Sequence, residues 1–243
     1  MTDPNTQSSI RYERNADGIV VLTMDDPTAS ANTMNELYGL SMAATVERLE
    51  AEKDDITGVV ITSAKKTFFA GGNLKDLQSY GPDQAGLVFE QAEAIKDQLR
   101  RIEKLGVPTV AAINGAALGG GLEIALAFNH RIAVDGRYEI GLPEVSLGLL
   151  PGGGGVTRVT RMLGVQSALM DVLLQGQRYK PAVAQAKGLV HELVATQDEL
   201  LPAAIAWVKA NLDNDDAKSQ PWDRKGYRMP GGTPSHPSLA QML

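Results

Sequence analysis

The sequence predicts an α/β fold, on two observations. Short apolar runs rich in β-branched residues alternate with longer stretches of helical periodicity between Ile10 and Leu212. In the middle, over residues 109–128, a strand, a glycine turn and a helix follow one another directly.

In chain order, residues 10–14 and 19–24 are strands around Asn15-Ala16-Asp17-Gly18, a hairpin signal, and Asp26-Pro27 closes the second. Residues 28–33 are small and polar, and 35–53 carry Leu37, Leu40, Ala44, Val46 and Leu49 at helical spacing. GVVIT at 58–62 is a buried strand. Phe68 to Gly72 form a glycine turn, with a helix-like stretch at 73–78 after it. A long amphipathic helix spans 84–105 and stops at Gly106-Val107-Pro108. The strand TVAAI at 109–113 runs into Asn114-Gly115 and then Gly119-Gly120-Gly121, before a buried helix at 122–128.

Short strands follow at 130–134 and 139–142. Beyond the glycines 152–155 come helices at 156–163, 166–174 and 181–187, a strand at 189–194 and a helix at 199–212. From Asp213 the chain turns to Pro, Gly, Asp and Ser without apolar periodicity, so it reads as a linker or tail. The expected organisation is a domain over 1–212 and a tail over 213–243. No fixed-period repeat is present.

With 243 residues, 43% of them hydrophobic, the chain is long enough for a substantial core. No apolar run reaches the roughly 20 residues that cross a bilayer. The polar, acidic N-terminus is unlike a secretory or transit signal, and a cytoplasmic protein is expected. The absence of cysteine excludes disulfides, thiolate catalysis and Cys-ligated metal. A net charge of −6 argues against a nucleic-acid surface, so an anionic ligand would need a local basic patch. Lys65, Lys66 and Lys75 could supply one, or be scattered solvated lysines.

A helix that starts from a glycine turn points unpaired N–H groups outward and favours negative charge there. A phosphate would satisfy it, and so would an oxyanion formed during reaction. Glu123, just inside the helix start, would repel a phosphate but could act as acid or base beside an oxyanion. Glu144 follows 21 positions later, between Pro143 and an apolar segment closed by Pro151. Two carboxylates on apolar segments are costly to bury without partners or a chemical task. Spacing alone leaves a second reading open, a helix-start glutamate and a loop glutamate, both solvated.

GAALGGGLEIAL, IGLPEVSLGLLPGGGG and the upstream FFAGGNLKDL resemble the signatures of the crotonase (enoyl-CoA hydratase/isomerase) superfamily, in the right order from about Ile10 to Leu212. The resemblance implies a spiral of ββα units with C-terminal helices. It implies an acyl-CoA thioester substrate, with CoA entering as part of the substrate and no separate cofactor or metal. It places the oxyanion donors at the N–H groups of Gly72 and Gly120, and the acid–base pair at Glu123 and Glu144. Glu144 is assigned the larger share of proton delivery. Substrate contacts are implied at Ser30, Ala31, Ala70, Gly72, Asn73, Leu74, Lys75, Gly120 and Pro143. Both acids together favour hydration of a trans-2-enoyl-CoA over the isomerases, which often lack one. A Δ3,Δ2-enoyl-CoA isomerase and a non-catalytic acyl-CoA-binding fragment remain the alternatives.

The chain departs from the family pattern at Asn73 and Asn129, where Asp is frequent, and at its end. Stand-alone members continue into further helices, so the fold reads as truncated. PWDRKGYRMPGGTP instead resembles the connector of bacterial multifunctional fatty-acid oxidation α subunits. That implies a dehydrogenase region and a thiolase subunit in a longer parent, or else a homotrimer or hexamer. Other chemistries find little support. His130, His191 and His236 lie far apart in sequence, and G-x-S-x-G, Walker A and G-x-G-x-x-G are all absent. Trp207 and Trp222 read as packing residues.

Overall fold

In the computed structural model, residues 8–72 and 79–233, together with Ser235 and Pro237, are described. The expected N-terminal hairpin forms: β1 (Ile10–Arg14) pairs antiparallel with β2 (Ile19–Met24), Ile10 opposite Met24. From β2 onward the large sheet is parallel. It runs through β3 (Gly58–Ser63), β4 (Thr109–Ile113) and β6 (His130–Val134) to β9 (Glu192–Val194), in the order β1-β2-β3-β4-β6-β9. Parallel neighbours need crossovers, and the helices supply them. They are α1 (Glu36–Ala51), α2 (Ala85–Glu103) and α3 (Gly120–Leu126). After them come α4 (Gly155–Leu163), α5 (Val165–Ser167, continuing as a π-helix over Ala168–Leu173), α6 (Pro181–Ala186) and α7 (Gln197–Ala210). The architecture is the expected α/β spiral of strand pairs and crossover helices.

Packing on both faces explains why the middle of β3, Val59 to Ile61, and most of β4, Val110 to Ile113, are apolar without alternation. Val59, Ile61, Ala111 and Ile113 face the larger core with α1, α2 and α3. Val60, Val110, Ala112 and Ile132 face the opposite way, onto Leu200, Ala204 and Val208 of α7. A strand covered on both faces loses polar alternation.

The helix starts follow their caps. Asn35 accepts from the Tyr38 N–H at 2.8 Å and so starts α1 one residue later than periodicity suggested. Thr196 and Glu199 form a capping box on α7. The helix expected over 122–128 begins at Gly120 and so includes two of the glycines.

A second, smaller sheet is absent from the sequence reading. Two-residue strands β5 (Ala117–Leu118), β7 (Ile140–Gly141) and β8 (Arg178–Tyr179) form it in the order β5-β7-β8. The expected strand at 139–142 thus shrinks to β7. That at 189–194 shrinks to β9, because Leu189 and Val190 turn into the larger core.

Residues 213–230 lie against the body. It makes 3-10 turns at Asp215–Lys218 and Pro221–Asp223. Gln220, 2% exposed, donates its side-chain amide to the Ala127 carbonyl at 2.9 Å. Asp223 accepts from both terminal nitrogens of Arg100, at 2.7 and 2.6 Å, and pairs with Lys104 at 3.0 Å. These partners are polar, so apolar periodicity could not reveal them. Gln220→Ala should lower stability by about 1–2 kcal/mol in urea unfolding at an unchanged m-value, because it strips a buried carbonyl of its donor. Wild-type stability would show that the segment is not docked.

Candidate active site

Two backbone turns meet at the start of α3. Phe69 donates its N–H to the Ala116 carbonyl at 3.0 Å and accepts from Leu118 N–H at 3.2 Å. That lays residues 69–72 along β5. Gly71 has φ +94, a conformation that strains any residue with a Cβ, and a Cβ there would sit 3.0 Å from the Leu118 carbonyl oxygen. Gly119 has φ +53, and a Cβ on it would lie 3.8 Å from the Gly71 Cα. Gly119 donates its N–H to Gly141 at 2.9 Å, and its carbonyl takes the Glu123 N–H at 3.0 Å. The N–H groups of Gly120, Gly121 and Leu122 therefore open the helix with no partner inside it.

Asn32, absent from the sequence reading, holds the upstream loop in register. It is 3% exposed, and its side-chain oxygen takes the Asp26 N–H at 2.9 Å. Its amide nitrogen reaches Ser63 Oγ at 2.9 Å and the carbonyls of Met24 at 3.2 Å and Phe68 at 3.4 Å, while its backbone carbonyl takes the Ala70 N–H at 2.9 Å. Met34 also joins the turns. Its N–H donates to Gly71 at 2.9 Å, it bridges to Gly72, and its side chain packs onto Gly120.

Glu144 reaches this junction, and Glu123, from α3, reaches Gly153 and Gly155 beside it. Glu123, 2% exposed, accepts the Gly155 N–H on Oε1 at 2.7 Å. Burial pushes its pKa up, against the N–H groups of Gly155 and Gly153 and the charges of Arg158 and Lys96. Glu144 opens a 3-10 turn (Glu144–Leu147) behind Pro143, and its carboxylate lies over Gly119, 2.9 Å from where a Cβ would stand. Its Oε2 is buried without a hydrogen-bond partner among the described residues. Burial, and then the neighbouring Glu123 charge, push its pKa up to about 7. The environments differ in kind: Glu123 is held by backbone donors, whereas Glu144 keeps one bare oxygen.

Among the predicted substrate contacts, Ser30, Ala70 and Gly72 are exposed, Ala31 is half-buried, and Gly120 is buried. Pro143 supplies the carbonyl that takes the Ser146 N–H at 3.0 Å. Asn73, Leu74 and Lys75 lie outside the described residues, as do the helix expected at 73–78 and His236. Lys65 is engaged by Asp25 at 3.0 Å, while Lys66 is exposed. His130 and His191, distant in sequence, stack with ring centroids 4.6 Å apart, and Trp207 stacks on His130 at 4.4 Å. This pile packs α7 against β6. Burial holds His130 down to about 4 and His191 down to about 2. Among the described residues no group of three or more His, Asp or Glu could hold a metal ion, and no helix is long and apolar enough to cross a membrane.

Residues 14–220 match the family model described as Enoyl-CoA hydratase/isomerase. The chain is 39% identical over 206 residues to the fatty acid oxidation complex subunit alpha of Shewanella frigidimarina, covering 84% of this chain and 28% of that protein. It thus spans under a third of the length of the curated relatives it matches. Among solved structures, an enoyl-CoA hydratase from Bacillus anthracis superposes with a TM-score of 0.76 at 28% identity, over 85% of this chain and 78% of that one. DspI of Pseudomonas aeruginosa superposes with a TM-score of 0.75 at 28% identity, over 87% and 83%.

A carboxyl whose folded pKa lies above its unfolded value binds more protons when folded. Stability therefore falls as pH rises through that window, which for Glu144 runs from its ordinary 4.5 to about 7. Glu144→Gln should flatten the decline in unfolding free energy between these pH values and raise stability at pH 8, measured by urea titration. An unchanged slope would place the carboxylate in solvent.

Proposed function

We propose a function for this chain, which belongs to the enoyl-CoA hydratase/isomerase family: it adds water to a trans-2-enoyl-CoA and forms a 3-hydroxyacyl-CoA. The observation that carries the reading is the pair of carboxylates beside the glycine turns, Glu123 buried and held by a backbone N–H, and Glu144 half-buried with one buried oxygen unpartnered among the described residues.

The chemistry follows from those environments. The thioester oxygen sits between the N–H groups of Gly72 and Gly120. Glu123, kept in place by Gly155, orients a water and takes its proton. The water oxygen bonds to the β-carbon, and the double-bond electrons move through the α-carbon to the thioester oxygen as an enolate. Fixed N–H donors meet the developing charge without reorganising, which is the largest single contribution in many such sites. Glu144, whose pKa is pushed up to about 7, delivers a proton to the α-carbon as the enolate collapses. Because the two acids interact, their titration belongs to the pair.

The isomerase alternative needs one acid that moves a proton between two carbons. Two acids on one junction instead suit a water held between them. Ser30, Ala31, Ala70 and Pro143 would line the way to the thioester; Asn73, Leu74 and Lys75 are proposed as contacts on the family resemblance alone. The α-subunit relatives, of which this chain spans 28%, support a place in fatty-acid oxidation. A dehydrogenase region and a thiolase subunit of a longer parent, or a homotrimer or hexamer, remain the proposed partners.

Glu123→Gln and Glu144→Gln should each lower kcat for crotonoyl-CoA hydration by about 10²-fold or more at nearly constant KM, followed by loss of the conjugated absorbance. Near wild-type turnover in either variant would overturn the paired-acid mechanism. In a complex with acyl-CoA, the thioester oxygen should lie about 2.7–3.1 Å from the Gly72 and Gly120 nitrogens. An oxygen pointing elsewhere would remove those donors from the mechanism.

A further inference from the structure

We propose that Arg158, braced by Glu103, is a positioning residue that sets the glycine turn on which the Glu123 carboxylate rests; this role builds on the hydration reading above. Arg158 stands in the first turn of α4 and is 6% exposed. Its Nε donates to Glu103 Oε1 at 2.7 Å, and its Nη1 donates to the Gly153 carbonyl at 2.8 Å. Two residues on, the Gly155 N–H donates to Glu123 Oε1 at 2.7 Å. The turn is thus gripped through a carbonyl on one side and grips the acid through an N–H on the other.

The turn needs an outside grip. Residues 152–155 are four consecutive glycines with no side chains of their own to pack, and glycine loses more conformational freedom on ordering than any other residue. A guanidinium suits the task because its donors lie in one rigid plane. Fixing Nε on Glu103 also fixes where Nη1 meets Gly153. Glu103 is itself anchored: it is 4% exposed, and its second oxygen takes Arg100 Nη1 at 2.8 Å. Arg100 continues the chain to Asp223 of the docked C-terminal segment, at 2.7 and 2.6 Å. The line from Asp223 to Glu123 therefore consists of charge-assisted or backbone hydrogen bonds. Burying such an ion pair is a poor way to gain stability, since well-packed apolar side chains often do as well. What the pair supplies is direction, and a misplacement of about 1 Å at a reacting group can cost about 10²-fold in rate. The charged groups acting on Glu123 are Arg158 from α4, Lys96 from α2 and the partner acid Glu144.

The test compares Arg158→Lys, Arg158→Met and, as a control, Arg101→Met, which breaks the α1–α2 ion pair with Glu50 at 2.5 Å. Arg158→Lys keeps the charge and loses the planar fork, so its kcat reports position. For crotonoyl-CoA, kcat should fall about 10-fold in Arg158→Lys and about 10²-fold in Arg158→Met, with KM within about threefold. The control should match wild type. A folded Arg158→Lys with wild-type kcat and KM would overturn the proposal, and it decides the matter if Arg158→Met does not fold. The Glu123 carboxylate band in infrared difference spectra, assigned with Glu123→Gln, gives a readout that needs no turnover. A band altered in Arg158→Lys supports the grip, and an unaltered band overturns it. A wild-type protein that does not hydrate crotonoyl-CoA would sink the hydration reading and leave the band to judge the grip.

Discussion

The close approach of Gly71 to Gly119 is the constraint on which the rest of the site depends. A Cβ on Gly71 would press on the Leu118 carbonyl, and one on Gly119 would press on the Glu144 carboxylate. Only at this spacing do the loop before residue 73 and the start of α3 border one small space. Much of the surrounding polar architecture keeps that spacing. Asn32 ties β2, β3 and the Phe68 carbonyl together, Met34 bridges to Gly72 and covers Gly120, and β5 carries the upper turn along the lower one. The large sheet delivers the strand that leads into the junction, and packing on both of its faces fixes where that strand ends.

Into this space the fold brings two carboxylates, at the cost of burial to both. The cost is met differently for each. Glu123 recovers part of it from backbone N–H groups and from nearby cations, although burial still pushes its pKa up. Glu144 recovers little, keeps one oxygen unpartnered, and is pushed toward neutrality by burial and by Glu123. Burial raises the pKa of both acids, but their hydrogen-bond surroundings differ, and two acids in unlike environments are suited to divided acid and base work. The proposed division of roles rests on these surroundings, since the two side chains are chemically identical.

Much of this was legible in the sequence, for definable reasons. The strands of the large sheet are apolar runs bounded by turn residues, and the two glycine turns stand out beside the acids. Periodicity is silent on β5 and β8, because two residues carry no period and their pairing is decided by β7. Asn32 is one polar residue in a polar loop, and only the fold shows that it joins segments 31 and 36 positions away. The Glu103–Arg158 pair spans 55 positions, and the stacked His130 and His191 come together from 61 positions apart. The segment from Asp213 lacks the apolar spacing that marks a packed element, since Gln220 and Asp223 dock it through polar bonds.

In the proposed mechanism the two acids act as one unit on a single water, and a double substitution tests this coupling. Groups that act as a unit are grossly non-additive in kinetics. Steady-state hydration of crotonoyl-CoA by Glu123→Gln, Glu144→Gln and the double variant would form the cycle. The double variant should lie within about threefold of the slower single variant, because the first loss already disables the shared water. Independent losses that multiply to about 10⁴-fold would contradict this coupling.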